Sequence, residues 1–406
     1  MEECCKMFEL LKNNHYFRRL FAGQIASLSG DWFNYIAILT LIGDTRGGGI
    51  MAIAWLTVLK QLPVFLFAAP AGVCADKYDR RKIMFVCDLI RALLVLLVIP
   101  ASYFGTTPIL VLMGVSAVVS AFFDPARAAA IPQIVSSDQL RNANTLGAIA
   151  WSLCMLVGAA LGGIATEIFG VSIALIIDCA TFFISAYFIY SLPPLLPTEK
   201  AEDRKSVSFK DFLLQRLSGM EKTLSVLMKG VFGIGAAVNF IQAVVGISLG
   251  FGESGAGGLS ATFMSRALGA ITGMVVMKRY FEKKSEIGII TYGFLICGVS
   301  YFAVGISEGA TLFLIAMFTA HFGSSMVWVY STVWIQRLFP NEERGRAAGL
   351  DVGLFMLTSC VITLIGGELV SRDYVSAREV AEMCGLFWVA VGLILLPVRR
   401  AIVKYA

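Results

Sequence analysis

Ionisable side chains stand inside long apolar runs of this sequence, and they are the residues best placed to do chemistry: Asp31, Lys60, Asp88, Arg91, Asp178, Lys229 and Arg266. A charge held in hydrocarbon costs at least a few kcal/mol and persists where it is paired or lines water. A carboxylate so placed can take up and release a proton, bind a cation, or neutralise a buried base. Asp31 leads for substrate, proton or cation coupling. It lies roughly 20 Å along its segment at 1.5 Å per residue, and Gln24, Ser27, Asn34 and Tyr35 share or adjoin its helical face; Asn34 is counted with it as a cavity residue. Asp88 and Arg91, three apart, meet on one face of a helix and serve either as a neutralising structural pair or as a coupling site. Asp178 can accept a proton or pair with a cation such as Lys60, and Arg266 can hold an anionic group or lock a carboxylate.

A second constellation lies between two apolar runs. Gly72 to Lys82 reads Gly-Val-Cys-Ala-Asp-Lys-Tyr-Asp-Arg-Arg-Lys, a short basic turn. Gly72 lets helices approach closely, Asp76 can accept hydrogen bonds from exposed amides at a helix start, and Arg80 and Arg81 can bridge to carboxylates. Other chemistries lack their residues. Two histidines and nine cysteines without a CxxC pair argue against a metal site. No Walker motif and no catalytic constellation are present, so neither ATP hydrolysis, another enzyme activity nor a cofactor is expected. Cys4 and Cys5 read as reduced thiols.

The elements that must position these residues are membrane spans. Of the 406 residues 57% are hydrophobic and 15% charged, against about 45–50% and 25% in an ordinary soluble domain. Roughly twenty apolar residues cross the hydrocarbon, and twelve such segments follow one another: Phe17 to Ile42, Ile50 to Cys74, Ile83 to Phe104, Pro108 to Phe123, Leu140 to Ala165, Val171 to Leu192, Leu224 to Gly250, Gly257 to Met277, Ile287 to Ile306, Thr311 to Trp334, Ala347 to Val370 and Val380 to Val398. The reading is an all-α membrane protein. No cleavable signal is expected. Residues 1–192 form one six-helix half and 223–406 the other, joined by a polar linker over 193–222. Within the linker Phe209 to Leu217 has helical apolar spacing and suits a membrane surface, as does Met7 to Leu11.

Lys and Arg are sorted by loop, which marks topology rather than nucleic-acid binding. The outer loops hold only Arg46, Arg372 and Arg378, so both termini are expected in the cytoplasm. A shift of 204 residues lays Ile131, Ala143, Leu146, Gly162 and Gly163 on Ile335, Ala347, Leu350, Gly366 and Gly367. That is a parallel repeat of six spans plus six. Asp88 and Arg91 meet Tyr292 and Leu295 under the same shift, so their chemistry belongs to the first half.

Gly72, Asp76, Arg80, Arg81 and Lys82, between spans two and three, resemble the signature of the major facilitator superfamily, although Asp79 replaces the usual glycine and Lys77 the usual first arginine. Ser29-Gly30-Asp31-Trp32, Leu62-Pro63, Asp88-Leu89-Ile90-Arg91, Phe123-Asp124-Pro125-Ala126-Arg127 and Ile131-Pro132 resemble the branch of enterobactin exporters and macrolide efflux proteins and, more distantly, lysophospholipid transporters. The resemblance implies two six-helix bundles that open a cavity alternately to either side, with the turn as a cytoplasmic gate latched through Asp76 and Arg80. It implies export of a small amphiphilic molecule, drug or siderophore across a cell membrane, the bacterial inner membrane in particular, driven by protons or sodium. A monomer is the expectation. Span five carries Gly158, Gly162 and Gly163 without the proline frequent in the superfamily's exporters, which weakens the antiporter inference. A lysophospholipid flippase and a non-transporting scaffold or receptor are the alternatives.

Overall fold

Hydrocarbon offers the backbone no hydrogen-bond partner, so an apolar run that crosses it must pair its N–H and C=O groups within itself. The computed structural model describes residues 2–45, 48–136, 138–196, 219–236, 238–251, 253–280 and 285–405. Among them 12 helices are long and apolar enough to cross a membrane. Spans one to six are His15–Asp44, Ile50–Lys77, Arg80–Ala101, Thr106–Ile134, Leu140–Phe169 and Val171–Tyr190. Span seven is the pair Met220–Ile234 and Val238–Ile247; spans eight to twelve are Ala256–Tyr280, Glu286–Ile306, Ala310–Leu338, Asn341–Ser371 and Ala377–Tyr405. Under the 204-residue shift span four falls on span ten end for end.

A further helix, Glu2–Asn13, precedes span one. Leu10 is buried in a cluster with Phe17, Leu20, Met84 and Ile131. Asn14 caps span one by accepting from the Phe17 amide at 2.9 Å, and its Nδ2 donates to the Ile134 carbonyl at 2.6 Å. The expected surface segment Phe209 to Leu217 lies outside the described residues, as do the side chains of Cys4 and Cys5.

Two spans depart from the sequence expectation. Span four does not end at Phe123. It continues through Pro125 and Pro132 to Ile134, because a proline removes only one ladder donor and neighbouring helices tolerate the loss. Asp124 and Arg127 therefore share a helix face and pair at 3.4 Å. Span seven is interrupted after Ile234, where the amides of Gly235 and Ala236 bond three residues back. Trp388 explains the break. Its ring stacks on Phe232 with centroids 4.7 Å apart, its indole N–H donates to the Phe232 carbonyl at 3.2 Å, and a Cβ on Gly235 would fall 2.2 Å from the ring.

Packing divides the chain into two units, Met1–Asp203 with Gly250–Ser260, and Arg204–Leu249 with Ala261–Ala406. In the first, span one lies against spans five and six, span three against four and six, and span two against four. Gly158 and Gly162 bring span five onto span one, where added Cβ atoms would sit 2.9 Å from Ser29 O and 2.8 Å from Phe33 Cα. The start of span eight belongs to this unit because Ser260 donates to the Ala159 carbonyl at 2.9 Å beside Gly163. In the second unit span nine packs between ten and twelve, and span seven against eleven.

Candidate functional site

Spans one, two, three and six bring six of the sequence-selected residues together inside the first unit: Asp31, Asn34, Lys60, Asp88, Arg91 and Asp178. Arg91 is the hub. One guanidinium nitrogen binds Asp31, and the other meets Ser27 at 3.2 Å and Asp88 at 3.6 Å. Its face lies over the Phe182 ring at 4.2 Å. Asp88, fully buried, also accepts from Ser185 at 2.6 Å. Asp178 is equally buried; Asn34 donates to it at 2.7 Å and Thr181 at 3.3 Å. Gly30 makes that contact possible, since a Cβ there would lie 2.2 Å from the Asp178 carboxylate and 2.0 Å from Thr181 Oγ1. Lys60 rests its ammonium 4.5 Å above the Tyr35 ring, within the electrostatic reach of Asp31 and Asp178.

Three carboxylates thus surround two cations, and when all are ionised the cluster carries one negative charge in excess. Asp31 is the open member: its side chain is 37% exposed, against 4% for Arg91. It borders a chamber on spans one, three and four that continues, past Gln24, Leu28, Asp124 and Arg127, into a larger cavity of about 350 Å³ reaching Asn144 and Trp151 on span five.

In the basic turn the arginines bond to backbone carbonyls, and Arg81 Nε also lies 3.9 Å from the Asp79 carboxylate. Arg80 donates to the Leu196 carbonyl and Arg81 to the Leu192 carbonyl, both at 2.9 Å. Asp79, the residue that replaces the usual glycine, accepts from the amides of Arg81 and Leu195 at 3.0 Å each. It caps span three and ties down the chain that leaves span six. Asp76 is exposed, and a Cβ on Gly72 would meet no other atom.

Arg266 does not join the first cluster. In the second unit it donates to Asn239 and Gln242, both at 3.1 Å. Because Arg266 holds the Gln242 carbonyl oxygen, the Gln242 amide nitrogen must donate outward, to Tyr301 Oη and His321 Nε2 at 2.8 Å each. His321 therefore accepts at Nε2 and carries its proton on Nδ1, facing Ser324 Oγ at 3.2 Å. Lys229 pairs with Asp351 at 2.7 Å, with Thr332 as a second partner, and both members are buried. Sequence reasoning overlooked Asp351, Gln242, Tyr301 and His321. Asp351 was findable as an acid in an apolar run; the neutral residues carry no such mark.

A family model described as Major Facilitator Superfamily matches residues 20–363. The chain belongs to the Major Facilitator Superfamily. Among superfamily relatives, the uncharacterized MFS-type transporter YfiS of Bacillus subtilis (strain 168) is 26% identical over 95% of this chain and 94% of its own length. Macrolide efflux protein A of Streptococcus pyogenes is 23% identical over 86% of each. Crystal structures share the fold at low identity: the nucleoside transporter NupG with a TM-score of 0.75 at 12% identity, covering 94% of this chain and 99% of that one, and a POT family transporter with 0.76 at 12%, covering 95% and 96%. The protein is a multi-pass membrane transporter with efflux-type relatives.

Proposed function

We propose that this transporter exports a small amphiphilic molecule, a drug or siderophore type included, in exchange for protons or sodium ions. The observation that carries the reading is the surplus carboxylate around Arg91 and Lys60. Taking up one proton or one sodium ion neutralises the cluster, and losing it restores a charge that must be re-paired. A change in pairing among spans one, two, three and six is what biases a two-state transporter. The available drive is adequate, since one charge moved through the membrane potential supplies about 2.3 kcal/mol per 100 mV. The likeness to a macrolide efflux protein supports export.

In this reading the protein is a monomer in the bacterial inner membrane with both termini cytoplasmic, two bundles at 1–192 and 223–406, and a cytoplasmic linker over 193–222. Gly72, Asp76, Arg80 and Arg81 form its cytoplasmic gate, with the arginines anchored and Asp76 exposed. Arg266 holds an anionic group or locks a carboxylate.

The test is uptake of candidate compounds by proteoliposomes under an imposed proton or sodium gradient, with Asp31→Asn and Asp76→Asn in parallel. Gradient-driven flux should fall in Asp31→Asn and in Asp76→Asn while both proteins remain in the bilayer. Flux indifferent to both gradients rejects coupled transport, and movement of lipid alone assigns the chain to flippases.

A further inference from the structure

The bonding order of the second unit's buried network turns on Gln242, whose amide has one acceptor end and one donor end. Arg266, a side chain with donors only, holds the acceptor end at 3.1 Å. The donor end faces Tyr301 Oη and His321 Nε2 at 2.8 Å each, and those two atoms lie 3.1 Å apart. Ser324 Oγ gives its own proton to the His321 carbonyl at 3.0 Å and so accepts at Nδ1. A neutral imidazole protonated on Nδ1 fits this order. A protonated imidazole does not, because its Nε2–H points at the Gln242 N–H groups, donor against donor. Turning the amide end for end repairs the contact, since the carbonyl oxygen then accepts from both His321 and Tyr301. The same turn sets the amide N–H groups against the Arg266 guanidinium, which must give up Gln242 and keep Asn239. Protonation at one end of the network and release of Arg266 at the other are therefore a single event.

Charge decides what accompanies it. Gln242, Tyr301 and His321 are buried, whereas Arg266 and Asn239 are half-buried, as is Ser324 at the other end. Span seven brings only neutral amides to the network. Arg266 of span eight is the charge that acts on His321, and Cys297 of span nine and Cys384 of span twelve are the further titratable groups that act on Tyr301. A proton on His321 thus adds positive charge within reach of Arg266, where an uncompensated charge is costly. An anion that arrives with the proton leaves the net charge unchanged.

We propose that Gln242 is a two-position switch linking protonation of His321 to the binding of a ligand's oxyanion, a carboxylate, sulfonate or phosphonate group, by Arg266. In one position the amide oxygen occupies Arg266 and His321 is neutral. In the other the ligand's oxygens replace the amide oxygen on the guanidinium, the amide is turned, and His321 has taken a proton from water onto Nε2. Both ring nitrogens then donate, Nε2 to the amide oxygen and Nδ1 to Ser324. A cationic or neutral ligand does not drive the turn, because it brings no charge to offset the proton. This deepens the reading of Arg266 as a holder of anionic groups, on which it rests.

Benzoate is the probe and benzylamine its charge-reversed control. Each is titrated calorimetrically into the full-length protein in nanodiscs, against empty nanodiscs, in buffers of differing ionisation enthalpy between about pH 5 and 8. Benzoate should bind with uptake of close to one proton, its affinity rising up to about tenfold for each pH unit lowered; benzylamine should take up none. Arg266→Gln should weaken benzoate binding about tenfold. Gln242→Met keeps the bulk and removes both ends of the amide, and there the proton uptake on benzoate binding should fall by about half or more. His321 is read directly by nitrogen-15 spectroscopy in a His15→Gln background, where it is the remaining histidine of the two. The parent should show the Nδ1–H tautomer without benzoate and the imidazolium with it. The Nε2–H tautomer in the free protein, a neutral ring with benzoate bound, or proton uptake unmoved in Gln242→Met overturns the switch. Benzoate binding without proton uptake overturns the switch and leaves Arg266 an anion holder, whereas failure of benzoate to bind overturns both. Linked uptake without gradient-driven flux upholds the switch and removes the export reading.

Discussion

Gly30 is the position at which one added methyl group tests the geometry of the charge cluster. A Cβ at Gly30 falls 2.0 Å from Thr181 Oγ1 and 2.2 Å from Asp178 Oδ1, against ordinary contacts near 3.4 Å or more. Span one must withdraw from span six by roughly 1 Å or more, or Asp178 must rotate away from Asn34. Overpacking of this kind costs about 1–3 kcal/mol. Loss of the 2.7 Å Asn34 bond to a buried carboxylate adds about 1.5–3 kcal/mol. Where both costs apply, the expected destabilisation of Gly30→Ala is about 2.5–6 kcal/mol. It is measured by reversible unfolding in mixed detergent and SDS micelles, with transport assayed in parallel. Gly30→Ala combined with Thr181→Ala should recover part of the loss, because the nearer of the two clashing atoms is gone, and the double-mutant cycle should show coupling of at least 0.5 kcal/mol. A Gly30→Ala protein as stable and as active as the parent would falsify the packing of span one on Asp178.

The second unit gives a contrasting case. Asp351→Asn should destabilise the protein by about 3–5 kcal/mol, since Lys229 is then left buried without its counter-charge, whereas Lys229→Met with Asp351→Leu should come within about 1 kcal/mol of the parent; equal losses in the single and double variants would show that the pair does not act as a unit. At the basic turn, Asp79→Ala removes the cap of span three and the acceptor for the Leu195 amide, a loss of about 0.5–2 kcal/mol. Limited proteolysis should then cut faster after span six, and an unchanged cleavage rate would mean that Asp79 does not hold that segment.

The number of spans, the repeat and the identity of the intramembrane charges were legible in the sequence because each is a local or compositional property. Length and hydropathy suffice for a span, and a charge in an apolar run is conspicuous wherever the helix faces. Span four was misread at its end because the run Asp124-Pro125 signals a stop that neighbouring helices override. The break in span seven was equally invisible, since it depends on the ring of Trp388, which lies far along the chain from Gly235.

What meets what inside the first unit was decided only by tertiary structure. Asp88 and Arg91 could be paired from their spacing. That Arg91 reaches Asp31, that Asn34 holds Asp178, and that Lys60 rests on Tyr35 instead of forming a contact ion pair with Asp178 all depend on the rotation of each helix about its own axis. Hydrophobic patterning reports that rotation poorly in spans that are apolar on nearly every side. For the same reason Arg266, though of the same kind as the other intramembrane charges, could not be separated from them in advance; the fold alone assigns it to the neutral network of Gln242, Tyr301 and His321.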